Sequence, residues 1–117
     1  MVGSVRCVEE AAVPEAVLLN TAGGITGGDR FSVAAELDTD AALTLTSQAA
    51  EKVYRSSGGE GHVDVSLSLA SGSKLAWLPQ ETILFDGGRV ARTLDVVMAP
   101  DSALVLCRLF HTSDVAL

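Results

Sequence analysis

Apolar and polar residues alternate with a period of two along much of the chain. Phe31, Val33, Ala35 and Leu37 alternate with Ser32, Ala34 and Glu36, and Leu43 and Leu45 alternate with Thr44 and Thr46. The cleanest case is Val63, Val65, Leu67 and Leu69, set between Asp64, Ser66 and Ser68. Side chains of a strand point to opposite faces in turn, so these stretches are predicted to be strands that bury one face. Ala16 to Leu19 is a short apolar run that stops at Asn20. Residues 47–54 could form a helical turn, but Val53 and Tyr54 favour a strand.

The alternating segments also repeat. Strand 31–37 turns through Asp38, Thr39 and Asp40 into a second run at Leu43. Strand 63–69 turns through Ala70, Ser71, Gly72 and Ser73 into Leu75, and 92–98 turns through Pro100, Asp101 and Ser102 into Leu104. Six positions separate the last apolar residue of each first strand from the leucine that opens the next, and the units recur after 32 and then 29 residues. A strand–turn–strand unit at nearly constant period is what a coiled β architecture requires. The predicted fold is therefore all-β, a solenoid-like stack of strands; a plain β-sandwich with hairpins of similar length is the alternative. Residues 1–15, broken by Pro14, read as an irregular lead-in or the remains of an edge strand. The β domain runs from 16 to 106, and 107–117 forms an atypical tail.

Composition narrows the function. Apolar residues make up 48% of the 117 positions and aromatic ones only 4%, so a core must be built mainly from aliphatic side chains. The formal net charge of −7 opposes contact with nucleic acid or an anionic membrane surface. The chain shows no secretory signal pattern and no apolar run long enough to span a bilayer, so a cytoplasmic location is expected. Cys7 and Cys107 lie near opposite ends and form no metal-ligand spacing; both are expected to be small buried hydrophobes.

Three stretches could carry chemistry. The loop from Gly23 to Asp29 holds four glycines in six positions. It ends in Gly-Asp-Arg, which puts a carboxylate where a phosphate loop needs Lys and a hydroxyl. A turn with positive φ at several glycines is the simpler reading, although Asp29 could face a cavity. Glu51, Lys52 and Arg55 form either a solvated strand end or a polar docking patch. Trp77-Leu-Pro-Gln-Glu-Thr-Ile-Leu-Phe85 sets an aromatic pair around a bend at Pro79, from which Gln80 and Glu81 project. Its aromatics suit either core packing or a surface anchor for a partner. His62 and His111 stand in unrelated contexts, and no nucleophile elbow or local metal-ligand cluster is present. The chain is not expected to be an enzyme.

Taken together, Asn20-Thr-Ala-Gly-Gly-Ile-Thr-Gly-Gly-Asp-Arg-Phe31, Thr46-Ser-Gln-Ala-Ala-Glu-Lys-Val-Tyr-Arg-Ser56 and Trp77 to Phe85 resemble the UreD family of urease accessory proteins, called UreH in some bacteria. The resemblance covers roughly residues 14–106. It implies a coiled β fold and a chaperone-like scaffold for loading nickel into urease, acting with UreF and the GTPase UreG on apo-urease. It also implies transient nickel contact along an internal path, with Asp29, Glu51 and Glu81 as candidates, and no tightly bound cofactor. Trp77, Gln80, Glu81, Phe85, Lys52 and Arg55 are the candidate partner-binding residues. A generic β-sheet interaction module without a metal role, or a non-functional fragment, is the alternative. Family members are longer at both ends, and the family's continuation after Leu106 is absent, so the chain reads as a truncated or frame-shifted member. Its exposed strand edge is expected to leave it poorly stable and inactive in urease maturation.

Overall fold

The structure, a computed structural model, describes residues 2–7, 15–18, 24–48 and 50–113, with the backbone alone for 2–7. Its strands are β1 (Val2–Cys7), β2 (Glu15–Leu18), β3 (Arg30–Leu37), β4 (Ala42–Ser47), β5 (Glu51–Val53), β6 (Gly61–Leu69), β7 (Lys74–Leu78), β8 (Thr82–Phe85), β9 (Val90–Met98), β10 (Ala103–Leu106) and β11 (Phe110–Ser113). They form three sheets in the orders β1-β3-β6-β9, β10-β7-β4-β2 and β11-β8-β5. Every strand pairs in parallel with its counterpart one repeat away. The chain therefore winds as a three-faced β-solenoid, each turn of the coil laid on the one before. A sandwich of hairpins is excluded, because parallel neighbours need a crossover between them.

The register follows the sequence repeat. Leu37 pairs with Leu69 and Leu69 with Met98. Leu43 likewise pairs with Leu75 and Leu75 with Leu104. The corners stack as well: Ala41 N–H donates to Asp38 O, Ser73 to Ala70 and Ser102 to Ala99, at 3.0, 3.1 and 3.1 Å. Asp40 and Gly72 take positive φ of 60° and 71° at equivalent places in the first two corners. In the third corner Asp101 accepts the Ser71 hydroxyl at 2.7 Å. That bond, with the Gly72 backbone N–H, holds the Asp101 carboxyl below the usual carboxylate value. The link is present above the unfolded-state pKa and is lost as pH falls through the lower folded one. Ser71→Ala is expected to return the Asp101 titration upward, as read by NMR of its carboxyl carbon.

Alternation puts one set of side chains inside the coil. Ile25, Ala35, Leu37, Ala41, Leu43, Leu45, Val53, Val63, Val65, Leu67, Leu69, Leu75 and Trp77 make up the buried core. Burial declines at the last turn although the inward phase is unchanged. Leu45 and Trp77 are 0% and 4% exposed, whereas Leu106, in register with Trp77, is 46% exposed. Stacked repeats bury each inward face only with a neighbour on both sides, and within the described residues β9, β10 and β11 have one on one side. Exposed Val97, Val105, Leu109 and Phe110 also belong to this end.

Several boundaries differ from the sequence reading. Of the two readings of the N-terminal stretch, residues 2–7 take the edge strand, paired to β3, in place of the irregular lead-in. The segment 51–53 is a strand, as expected, and Phe110–Ser113 adds a strand to the third sheet within the expected tail. The glycine-rich loop supplies the third face of the first turn: Ile25 is buried and bridges Val53 in parallel. Among the described glycines of that loop, Gly28 alone has positive φ, at 87°. Gly24 and Gly27 are instead required by close packing: a Cβ on Gly24 would overlap the Tyr54 ring, and one on Gly27 the Gly58 carbonyl. Cys107 is exposed, contrary to expectation, because it follows β10 at the uncovered end. The reading of residues 8–14 and 114–117, and of the Cys7 side chain, lies outside what is described.

Candidate functional site

Polar groups converge inside the coil where it approaches its uncovered end. The column of inward positions Phe31, Val63 and Arg92 replaces an apolar side chain by a guanidinium at β9. A second column, Glu51, Thr82 and Phe110, begins with a carboxylate at β5. Arg108, in the link between β10 and β11, completes the group.

Glu51 Oε1 accepts from Arg92 Nη2, from Thr82 Oγ1 at 3.1 Å and from Arg108 Nη2 at 3.5 Å. The side chains of Glu51, Arg92 and Arg108 are 25%, 17% and 16% exposed. Two guanidiniums thus face one carboxylate in a mostly desolvated setting. Burial and then the neighbouring Arg92 charge lower the Arg108 pKa, while Glu51 acts in the opposite sense. Arg92 Nε and Arg108 Nε are buried with no hydrogen-bond partner. Arg92 and Arg108 also border, with Val65, Trp77, Leu94 and Leu106, an open and almost wholly apolar recess of about 40 Å³.

The residues singled out from the sequence are distributed differently. Glu51 and Glu81 are neighbours across adjacent turns, since Glu51 N–H donates to Glu81 O at 2.9 Å. Asp29 is placed at the start of β3, where its Oδ2 accepts the Thr26 N–H at 3.0 Å. Among the described residues no three His, Cys, Asp or Glu side chains form a group that could hold a metal ion. Trp77 is a core residue; the surface-anchor reading fails for it, because β7 turns its ring inward between the columns of β4 and β10. Phe85 and Tyr54 stack on one another, with ring centroids 5.7 Å apart and planes at 14°. Lys52 is exposed on β5, and Arg55 pairs with Asp86 at 3.6 Å with both side chains largely in water, a contact of little energetic weight. Gln80 is exposed at the bend, and its N–H donates to Ser47 Oγ at 2.9 Å. Lys52, Tyr54, Arg55, Gln80 and Phe85 thus lie on or beside the third sheet, where a docking patch could form.

The sequence reading missed Arg92 and Arg108. Arg92 was detectable, because it occupies the inward phase of its strand at the position of Phe31 and Val63. Arg108 sits in a link with no periodicity and carried no such signal.

No helix among the described residues is long and apolar enough to cross a membrane. Residues 4–111 match the family described as UreD urease accessory protein. The chain is similar to the urease accessory protein UreD of Rhodopseudomonas palustris, 56% identical over 91 residues, covering 78% of this chain and 33% of that protein. It is also similar to the proteins of that name from Dinoroseobacter shibae, 54% identical over 97 residues (83% of this chain, 34% of the relative), and Ruegeria pomeroyi, 47% identical over 108 residues (89% and 42%). The chain spans about a third of the length of the first two of these curated relatives.

Proposed function

The chain belongs to the UreD family of urease accessory proteins, and we propose that it acts as a non-catalytic scaffold in the incorporation of nickel into urease, in complex with UreF and the GTPase UreG. The observation that carries this reading is the family match over residues 4–111, nearly the whole chain. The β-solenoid suits the role, since stacked turns give a long, stiff surface. On this proposal the setting is the cytoplasm, no cofactor is tightly bound, and nickel contact is transient. Asp29 and Glu81 are better suited to such contact than Glu51, because two guanidiniums already surround the Glu51 carboxylate and repel a divalent cation. The patch at Lys52, Arg55, Gln80 and Phe85 is the proposed docking face for a partner.

Immobilised chain is expected to retain the UreF–UreG pair and, through it, apo-urease. A Lys52→Glu/Phe85→Ser double variant is expected to weaken retention at least tenfold without changing the far-ultraviolet circular dichroism. Passage of UreF–UreG through the matrix would leave the generic interaction module as the better reading.

A further inference from the structure

We propose that the Glu51–Arg92–Arg108 cluster is a register pin: it selects the observed placement of β9 on β6 from placements shifted by two residues. The proposal concerns contacts inside the coil and is independent of the role in urease maturation.

Alternation decides which face of a strand points inward, and a shift of two residues leaves that decision unchanged. β9 is open to such a shift. Val90, Leu94, Val96 and Met98, in its inward phase, are all aliphatic and lie beside Gly61, Val65, Leu67 and Leu69 of β6. Sliding one aliphatic side chain into the place of the next keeps the interior apolar. The length of chain leading into β9 does not fix its placement either. Glu51 pairs with Thr82, 31 positions on, whereas Gly61 pairs with Val90, 29 positions on. The stretch from the third sheet to the first is therefore two residues shorter before β9 than before β6. That difference equals the step between one permitted placement and the next.

Arg92 is the exception in the inward phase of β9. In the observed register it lies beside Val63 and donates to Glu51 Oε1, which also accepts from Thr82 and Arg108. A shift of two residues carries Arg92 about 6.6 Å along the strand and puts Val90 or Leu94 in its place. The Arg92 and Glu51 side chains are only 17% and 25% exposed, so the shift strands a mostly buried guanidinium without its carboxylate. Breaking such a pair is costly.

For stability alone the cluster is a poor device. Two guanidiniums share one carboxylate, and Arg92 Nε and Arg108 Nε are buried with no hydrogen-bond partner. A partly satisfied buried network stabilises no better than apolar side chains of similar volume. Phe31 and Val63 occupy the column of Arg92 in the two preceding turns, so the coil closes there without a charge. What the ionic cluster adds is discrimination between registers.

Disulfide cross-linking reads the register. Asp64 and Thr93 are paired on the outer face of the first sheet, where the Thr93 hydroxyl donates to Asp64 at 2.7 Å. Paired positions are within disulfide reach, whereas positions two residues out of register are about 8 Å apart and beyond it. In a Cys7→Ser/Cys107→Ser background, Asp64→Cys is combined in turn with Ala91→Cys, Thr93→Cys and Asp95→Cys and equilibrated in glutathione buffer. With the cluster intact, the 64–93 cross-link is expected to exceed the other two at least tenfold. With Glu51→Leu/Arg92→Leu/Arg108→Leu, the urea midpoint is expected to hold while one or both shifted cross-links rise at least tenfold. Moving the pin with Arg92→Leu/Leu94→Arg is expected to make 64–95 the dominant cross-link, and Val90→Arg/Arg92→Leu to make it 64–91. A 64–93 cross-link that stays dominant in the apolar variant or in both moved-pin variants would overturn the proposal, because links and corners would then set the register. Loss of folding in the apolar variant would overturn it as well, since the cluster would then be holding the fold together. If the moved-pin variants do not fold, the apolar variant decides alone.

Discussion

Trp77→Ala is expected to lower the unfolding free energy by about 3–5 kcal/mol, the largest effect of any single substitution considered. Trp77 is 4% exposed, and its strand neighbour β4 supplies Leu45, in register with it and fully buried. Truncation to a methyl removes the largest side chain of an aliphatic core and leaves a space that its stacked neighbours cannot close without breaking register. Leu106→Ala, one turn further in the same column, is expected to cost only about 1 kcal/mol, because that side chain is already half exposed. Urea titration of both variants checks the pair. Similar costs at the two positions would contradict the decline of burial toward the last turn. A negligible cost at Trp77 would return the residue to the surface.

The same contrast shows which parts of the fold were readable from the chain. Strands β3, β4, β6 and β7 carry strict alternation on long or well-bounded segments, and their spacing gave a register that the parallel pairing reproduces at Leu37, Leu69 and Met98. The third sheet was much less legible. β5, β8 and β11 have three or four residues each, too few for a period to establish itself, and their places are fixed by the turns around them. Ile25 illustrates the limit: within a glycine-rich loop it looks like punctuation, yet it is fully buried and bridges Val53 of the next turn. Trp77 was ambiguous for another reason. An aromatic next to Pro79 fits an exposed bend or a strand end equally well, and the decision rests on which face of β7 points inward, a property of the stack and not of the local sequence.

The candidate site divides along similar lines. Glu51 was visible as a carboxylate in a distinctive stretch, but its partners lie 41 and 57 positions away, so the interior cluster exists only once the coil has wound. Asp29, Glu51 and Glu81 were grouped by charge type and by family resemblance. The fold puts Glu51 beside Glu81 and ties Asp29 into the turn that begins β3.

Adjacent glycines in that turn lead to the second large expected effect, since they are required for different physical reasons. Gly27→Ala is expected to cost about 3 kcal/mol, near the upper end of the usual range for overpacking. A Cβ there would overlap both the Ser56 hydroxyl and the Gly58 carbonyl. Ser56 Oγ donates to Gly59 O at 2.7 Å and accepts the Gly58 N–H at 3.2 Å, so moving it undoes the bend that links β5 to β6. The same displacement strains Gly28 N–H to Glu60 O, the bond that joins this loop to the next turn of the coil. Gly28→Ala meets no atom within 4 Å and is penalised only by its φ of +87°, so about 1 kcal/mol is expected. Gly28→Asn should recover part of that loss, because Asn tolerates the left-handed region, whereas Gly27→Asn should be worse than Gly27→Ala. Denaturant midpoints of the four variants test the assignment. If Asn rescued position 27 and not position 28, the two glycines would have exchanged roles, and the loop could not pack against Ser56 and Gly58 as described.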